Sequence, residues 1–173
     1  MLYVLAFPKF DVKLTASLAR FRSKYEPERA RLVRPHVTLV FGLSGVDPGA
    51  FSDFCEDTLS GARRIQVDFD RFVLDYDPFE GKHKLLLLCR RGREEIASLH
   101  RQLYLGPHSQ QLDANHPYLP HMTVATDRDR DTLANLDPSA IGELPIQGVL
   151  DTVELVSLSD GSLKTLKSIS LKP

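Results

Sequence analysis

The spacing of apolar and polar positions changes several times along the chain, and each change marks an element. Leu2 to Phe7 is a short apolar run closed by Pro8, the pattern of a strand. From Leu14 to Tyr25 the period becomes helical. Leu14, Leu18 and Phe21 share one face, Arg20, Arg22 and Lys24 lie on others, and Thr15 or Asp11 can serve as the cap. A loop ending in Arg34-Pro35 leads to His36–Gly42, a strand stopped by glycine. Asp47-Pro48 then opens a helix to about Leu59, with Asp47 as N-cap and proline in the first turn, where its missing N–H does no harm. Arg64 to Asp75 alternates as a strand, and the loop Asp75–Gly81 interrupts it.

The order then recurs. Lys84 to Cys89 reads as a strand, and Glu94 to Leu105 as a helix with Ile96, Leu99 and Leu103 on one face. A polar loop covers Gly106 to Pro120. His121 to Ala125 is a strand, a helix lies around Arg128 to Leu136, and strands near Ile146–Leu158 and Leu163–Leu171 follow. Strand, helix, loop, histidine-bearing strand, helix and strand thus occur in both halves, the signature of an internal duplication. No linker or low-complexity segment divides the 173 residues, so the expectation is one bilobal unit. Its lobes are roughly 1–80 and 81–173, and strands can be exchanged between them.

Composition narrows the function classes. A formal net charge of -1 provides no bulk positive field for long nucleic acid or an anionic membrane, so a nucleic-acid-related substrate is small or held by a local patch. Met1 to Phe10 has no basic leader and reads as a strand rather than a signal peptide, and no apolar run approaches membrane-spanning length. Cys55 and Cys89 form no C-x-x-C and read as reduced thiols. The expectation is a soluble, cytoplasmic protein with no obligate protein partner marked in the sequence.

The chemistry concentrates in two short runs. Pro35-His36-Val37-Thr38-Leu39 and Pro120-His121-Met122-Thr123-Val124 share the order Pro, His, aliphatic, Thr, aliphatic, and their histidines lie 85 positions apart, from 36 to 121. Side chains alternate along a strand, so each His shares a face with the Thr two positions on, while the aliphatic residues face a core. Two such faces brought together present two imidazoles and two hydroxyls. An imidazole changes protonation near neutrality, so a pair can divide the work of general base and general acid at a phosphodiester. Thr38 and Thr123 can donate to the oxygens that gather charge. A zinc site is the competing reading, with His116, His121, Asp127, Asp129 and Asp131 as available ligands. It is the weaker one, because each motif contributes one ligand and zinc needs three or four. The run Asp127–Asp131 reads instead as a helix-start cap with solvated charge.

The paired motifs resemble those of the two-histidine (2H) phosphoesterase superfamily, which includes 2′-5′ RNA ligase-like proteins and cyclic nucleotide phosphodiesterases. The resemblance covers nearly the whole chain. It implies an α+β fold of two mainly antiparallel sheets lining a central cleft, helices outside, no metal or other cofactor, and a site made of His36, Thr38, His121 and Thr123. It also implies His121 as base and His36 as acid when the 3′ bond of a cyclic phosphate breaks. The substrate expected is a 2′,3′-cyclic phosphate or 2′-5′ phosphodiester of a nucleotide or RNA end. A non-catalytic module holding the same ligands is the alternative, and turnover separates the two. Phe79, Tyr76 or Tyr118 is available to stack on a base, although Phe79 is as readily a core residue. Arg34, Lys82 and Arg128 are available as local positive charge.

Overall fold

The computed structural model describes all residues, Met1–Pro173. The elements are β1 (Leu2–Lys9), α1 (Val12–Tyr25), α2 (Pro27–Leu32), β2 (Val37–Leu43), α3 (Pro48–Leu59), β3 (Ile65–Asp77), β4 (Lys82–Arg91), α4 (Arg93–Leu103), β5 (His121–Asp127), α5 (Arg130–Ala134), β6 (Ile146–Ser159) and β7 (Ser162–Ser170). Local chemistry sets the boundaries. Asp11, not Thr15, caps α1, its Oδ1 accepting from the Leu14 N–H at 2.8 Å. Asp47 does the same for α3 through Ala50 at 2.8 Å, with Pro48 in the first turn. Gly92 turns β4 into α4 at φ +82, where a Cβ would also meet the Gln66 carbonyl at 2.7 Å.

Two helices depart from the sequence reading. The segment read as a loop before Arg34 contains α2, six residues opened by Pro27. Six residues carry no helical period, and a buried ion pair between Arg22 of α1 and Glu26, just before α2, holds the junction. The helix expected around Arg128–Leu136 is shortened to Arg130–Ala134. Asp129 accepts from the Asp131 N–H at 3.0 Å and starts it late, and Asp137-Pro138 opens a separate 3-10 turn.

The strands form an antiparallel ladder in the order β2-β1-β6-β3-β4-β5, with β7 on β6. Matching the halves as β1 to β4, β2 to β5 and β3 to β6 turns this order into its own reverse. A pseudo-twofold therefore passes between β6 and β3, and the third strand of each half has crossed to pair with the first strand of the other. The architecture is the expected mainly antiparallel α+β one. Its two sheets are joined into one ladder, because β3 and β6 are long enough for Ile65–Phe69 to pair with Ile146–Leu150 before each continues into its own sheet.

One core serves both halves. Val4, Ala6, Val37 and Leu39 belong to the same buried cluster as Leu85, Leu87, Met122 and Val124. The helix faces read from the sequence reach it through Leu18 and Phe21 of α1 and Ile96, Leu99 and Leu103 of α4, while Leu14 is partly buried. Each such side chain contributes about 1.5–3 kcal/mol on burial. The helices pack crosswise: α1 contacts β5, and α4 contacts β2. This bends the ladder so that β2 and β5, at its opposite ends, lie beside each other. No helix is long and apolar enough to cross a membrane.

Candidate active site

Each motif begins its strand. His36 immediately precedes β2, and His121 is the first residue of β5. The expected alternation is present: Val37, Leu39, Met122 and Val124 are buried, while His36, Thr38, His121 and Thr123 are half-buried on the other face. The ladder also carries a matched irregularity. Leu5 pairs with Thr38 but Val4 with Val40, so Leu39 is an extra residue in β2. Leu86 pairs with Thr123 but Leu85 with Ala125, so Val124 is the extra residue in β5. A β-bulge thus falls directly after the threonine in both motifs, the kind of feature that re-aims side chains beside a site.

The two rings are held alike. The Nδ1 of His36 lies 2.9 Å from the Arg34 carbonyl, and the Nδ1 of His121 lies 2.6 Å from the Leu119 carbonyl. A carbonyl oxygen only accepts, so Nδ1 carries the hydrogen in both rings, and Nε2 presents its lone pair. Burial lowers the pKa of His36 to about 4. The cations Arg22 and Arg29 and the His121 ring push the same way, against the Arg34 carbonyl bond. Burial likewise lowers His121, with Lys84 and Arg29 adding to it and the Leu119 carbonyl and Asp75 opposing. Both rings are therefore neutral at neutral pH in the free protein, each with a free Nε2 able to accept a proton.

The strand opposite His121 continues the face. Leu88, Leu86 and Lys84 of β4 alternate onto the side shared with His121 and Thr123, through the pairs Leu88↔His121 and Leu86↔Thr123. Lys84 and Arg29 are the charged residues that the sequence reading missed. The alternation of Lys84 with Leu86 and Leu88 carried a signal for the first. Nothing in the sequence pointed to Arg29, which depends on the unforeseen α2.

The secondary candidates occupy distinct places. Phe79 is 86% exposed at the tip of the β3–β4 hairpin, where Asp77 accepts from its N–H at 2.8 Å, so it is not a core residue. Tyr76 is also exposed, its ring 5.0 Å from that of His83. Tyr118 lies parallel to His100 with ring centroids 3.7 Å apart, and its hydroxyl donates to the Thr38 carbonyl at 2.9 Å. One ring face is thus covered, and the side chain ties the approach to His121 onto the His36 strand. Arg34 lies over the Phe7 ring at 3.7 Å and pairs with Glu154 at 2.7 Å. Lys82 is half-buried at the start of β4, and Arg128 is exposed just ahead of α5. The zinc reading finds no assembly, since no group of three or more His, Cys, Asp or Glu side chains is arranged to hold a metal. His116 pairs instead with Asp113 at 2.6 Å.

A family model described as the 2′-5′ RNA ligase superfamily matches residues 10–162. A protein of Oceanobacillus iheyensis named as a candidate phosphoesterase is 25% identical over 132 residues, which is 73% of this chain and 69% of its own length. The structure of E. coli LigT complexed with NADP+ is similar at a TM-score of 0.64, with 18% identity over 99% of this chain and 98% of that one. LigT has also been solved in complex with 3′-AMP. TT0787 of Thermus thermophilus matches at a TM-score of 0.64, with 16% identity over 99% and 97% of the two chains. At these identities the structural likeness establishes the fold.

Proposed function

The chain belongs to the 2′-5′ RNA ligase superfamily of two-histidine phosphoesterases, and from that premise we propose that it hydrolyses a 2′,3′-cyclic phosphate or 2′-5′ phosphodiester of a nucleotide or RNA end, with His36 and His121 as the acid/base pair. The observation that carries this reading is the duplicated clamp. In both motifs Nδ1–H is bound to the carbonyl two residues earlier, so Nε2 is the nitrogen left for proton transfer. E. coli LigT, which shares the fold, has been solved with nucleotides bound.

The steps follow from that arrangement. One neutral ring takes a proton from water at Nε2 as the water oxygen bonds to phosphorus. The P–O bond on the opposite side breaks, and the other ring, protonated, gives its Nε2 proton to the leaving ribose oxygen. The hydroxyls of Thr38 and Thr123 donate to the non-bridging oxygens, where charge gathers. An anionic phosphodiester between the rings offsets the burial that lowers both pKa values, and so restores proton affinity to the ring facing the leaving group. The site is pseudo-symmetric, so the orientation of the substrate decides which histidine is base and which is acid.

His36→Gln and His121→Gln each lower turnover of a 2′,3′-cyclic nucleotide by a factor of ~10² or more. Turnover persists after EDTA, since the residues at the cleft supply the charge stabilisation. Near-normal turnover in either folded variant overturns the acid/base pair. Loss on EDTA restored by zinc moves the chemistry to a metal. Nucleotide binding without turnover in the wild type makes the chain a binding module.

A further inference from the structure

Charged side chains from both halves of the fold meet at one end of the histidine-bearing face. Arg29 of α2 donates to Oε1 of Glu80, on the β3–β4 turn, at 2.6 Å. The Lys84 ammonium donates to the same oxygen at 2.9 Å and also bonds Asp77. Arg29 lies 3.7 Å from Oε2 of Glu26, a buried oxygen that no hydrogen bond satisfies. Along β4, Lys84 stands four residues from the pair Leu88↔His121 and two from Leu86↔Thr123. At the rise of a strand this places its Cα ~13 Å from the His121 row, beyond Thr123, with the flexible side chain shortening the gap. It is therefore displaced from the reacting atoms along the cleft, yet near enough for its field, with that of Arg29, to lower His121.

We propose that Arg29 and Lys84 form a binding site for a second anionic group of the substrate, a phosphate one nucleotide removed from the reacting one, and that Glu80 fills this site in the free protein. The proposal rests on the reading of the His36–His121 cleft as a phosphodiester site. It selects, within that reading, substrates bearing a further phosphate over a bare nucleoside cyclic phosphate.

Glu80 is the replaceable member of the cluster. Its carboxylate is partly exposed, and its only hydrogen bonds come from Arg29 and Lys84. Those bonds hold its carboxyl below the usual range although burial works against it. Asp77 is fixed by contrast, because its Oδ1 accepts from the N–H groups of Phe79 and Glu80 in the turn. Asp75 and Asp77 lie beside Lys84, and Glu26, itself paired with Arg22, lies beside Arg29. With Glu80 seated, four carboxylates therefore meet three cations, and negative charge is in excess. When Glu80 leaves, the cluster's charges balance, and the Arg29 and Lys84 donors that it occupied become available to another anion. A phosphate carries more charge and more acceptor oxygens than a carboxylate, and so competes for them.

The test compares equilibrium binding of adenosine 2′-phosphate and adenosine 2′,5′-bisphosphate by calorimetry. The wild type is expected to bind the bisphosphate ~10-fold tighter, the scale of an added charge-assisted contact. Arg29→Gln and Lys84→Gln each bring the ratio towards one, Lys84→Arg retains it, and Glu80→Gln raises it. Equal affinities in the wild type, or a ratio that survives both glutamine variants, overturn the site. An unchanged ratio in Glu80→Gln overturns the role given to Glu80. Failure of the underlying cleft reading shows separately, as absent turnover of a 2′,3′-cyclic nucleotide by the wild type.

Discussion

His36 and His121 give up solvent in the fold and gain in exchange one carbonyl each, and the exchange sets the pH at which they can work. The free-protein profile, kcat/KM against pH, reports the pKa values of both rings. The ring acting as base must be neutral, so activity falls as pH drops through its value. The ring acting as acid must be protonated, so activity falls as pH rises through its value. Both values are lowered below 6.5, with His36 at about 4. The bell is therefore expected on the acid side of an ordinary imidazole, and its two limbs belong to the pair jointly. A profile centred above neutrality, or flat from about pH 5 to 9, contradicts the assignment. Arg29→Gln removes a cation that lowers both rings, and should move the bell towards neutrality.

At the scale of elements, β2 is the strand at one end of the ladder, and side chains rather than another strand engage part of its backbone. His100 of α4 bonds the Leu39 carbonyl at 2.7 Å, the Tyr104 hydroxyl accepts from the Phe41 N–H at 3.1 Å, and Tyr118 reaches the Thr38 carbonyl. The three contacts surround the bulge at Leu39 and so fix how His36 and Thr38 are presented. Tyr118 also lies just before Pro120-His121, which links the two motifs directly. Tyr118→Phe keeps the ring on His100 and removes only the bridge. The hydrogen bond is worth about 1 kcal/mol, so Tm should fall by roughly 2–4 °C in a chain of this size. Turnover should fall ~10-fold with KM little changed, because the loss is in positioning. Wild-type kcat in this variant would leave Tyr118 with no part in positioning, whereas a raised KM in Tyr118→Leu with normal kcat would favour base stacking.

For the whole molecule, the lowered histidines make stability depend on pH. The unfolded chain takes up a proton on each imidazole near pH 6.5, whereas folded His36 resists until about 4. The unfolded state binds more protons in that window, so stability is full above 6.5, declines as pH falls towards 4, and loses nothing more from this group below it. His36 alone accounts for about 2 kcal/mol at pH 5 relative to pH 7. Urea unfolding at the two pH values should show that difference in the wild type and a smaller one in His36→Gln. Equal stability at both pH values would contradict the buried, neutral ring.

The sequence by itself determined whatever repeats at short range. The strand and helix periods, the cap at Asp47, the narrowing of the α1 cap to Asp11 or Thr15, and the alternation that sets His36 with Thr38 and His121 with Thr123 are all local, because neighbouring residues and backbone geometry decide them. The recurrence of one element order in both halves was also legible, since two copies of one pattern need no coordinates to be compared. Tertiary structure decided everything that depends on residues distant in sequence meeting. It crossed the third strand of each half into the other and joined the sheets through β3 and β6. It bent the ladder until β2 and β5 lay together, and it placed the bulges at Leu39 and Val124, which exist only relative to a partner strand. It also brought Arg29, Glu80 and Lys84 to one point. A helix as short as α2 has too little internal hydrogen bonding to declare itself, and the Arg22–Glu26 pair that supports its start becomes informative only once both side chains are buried.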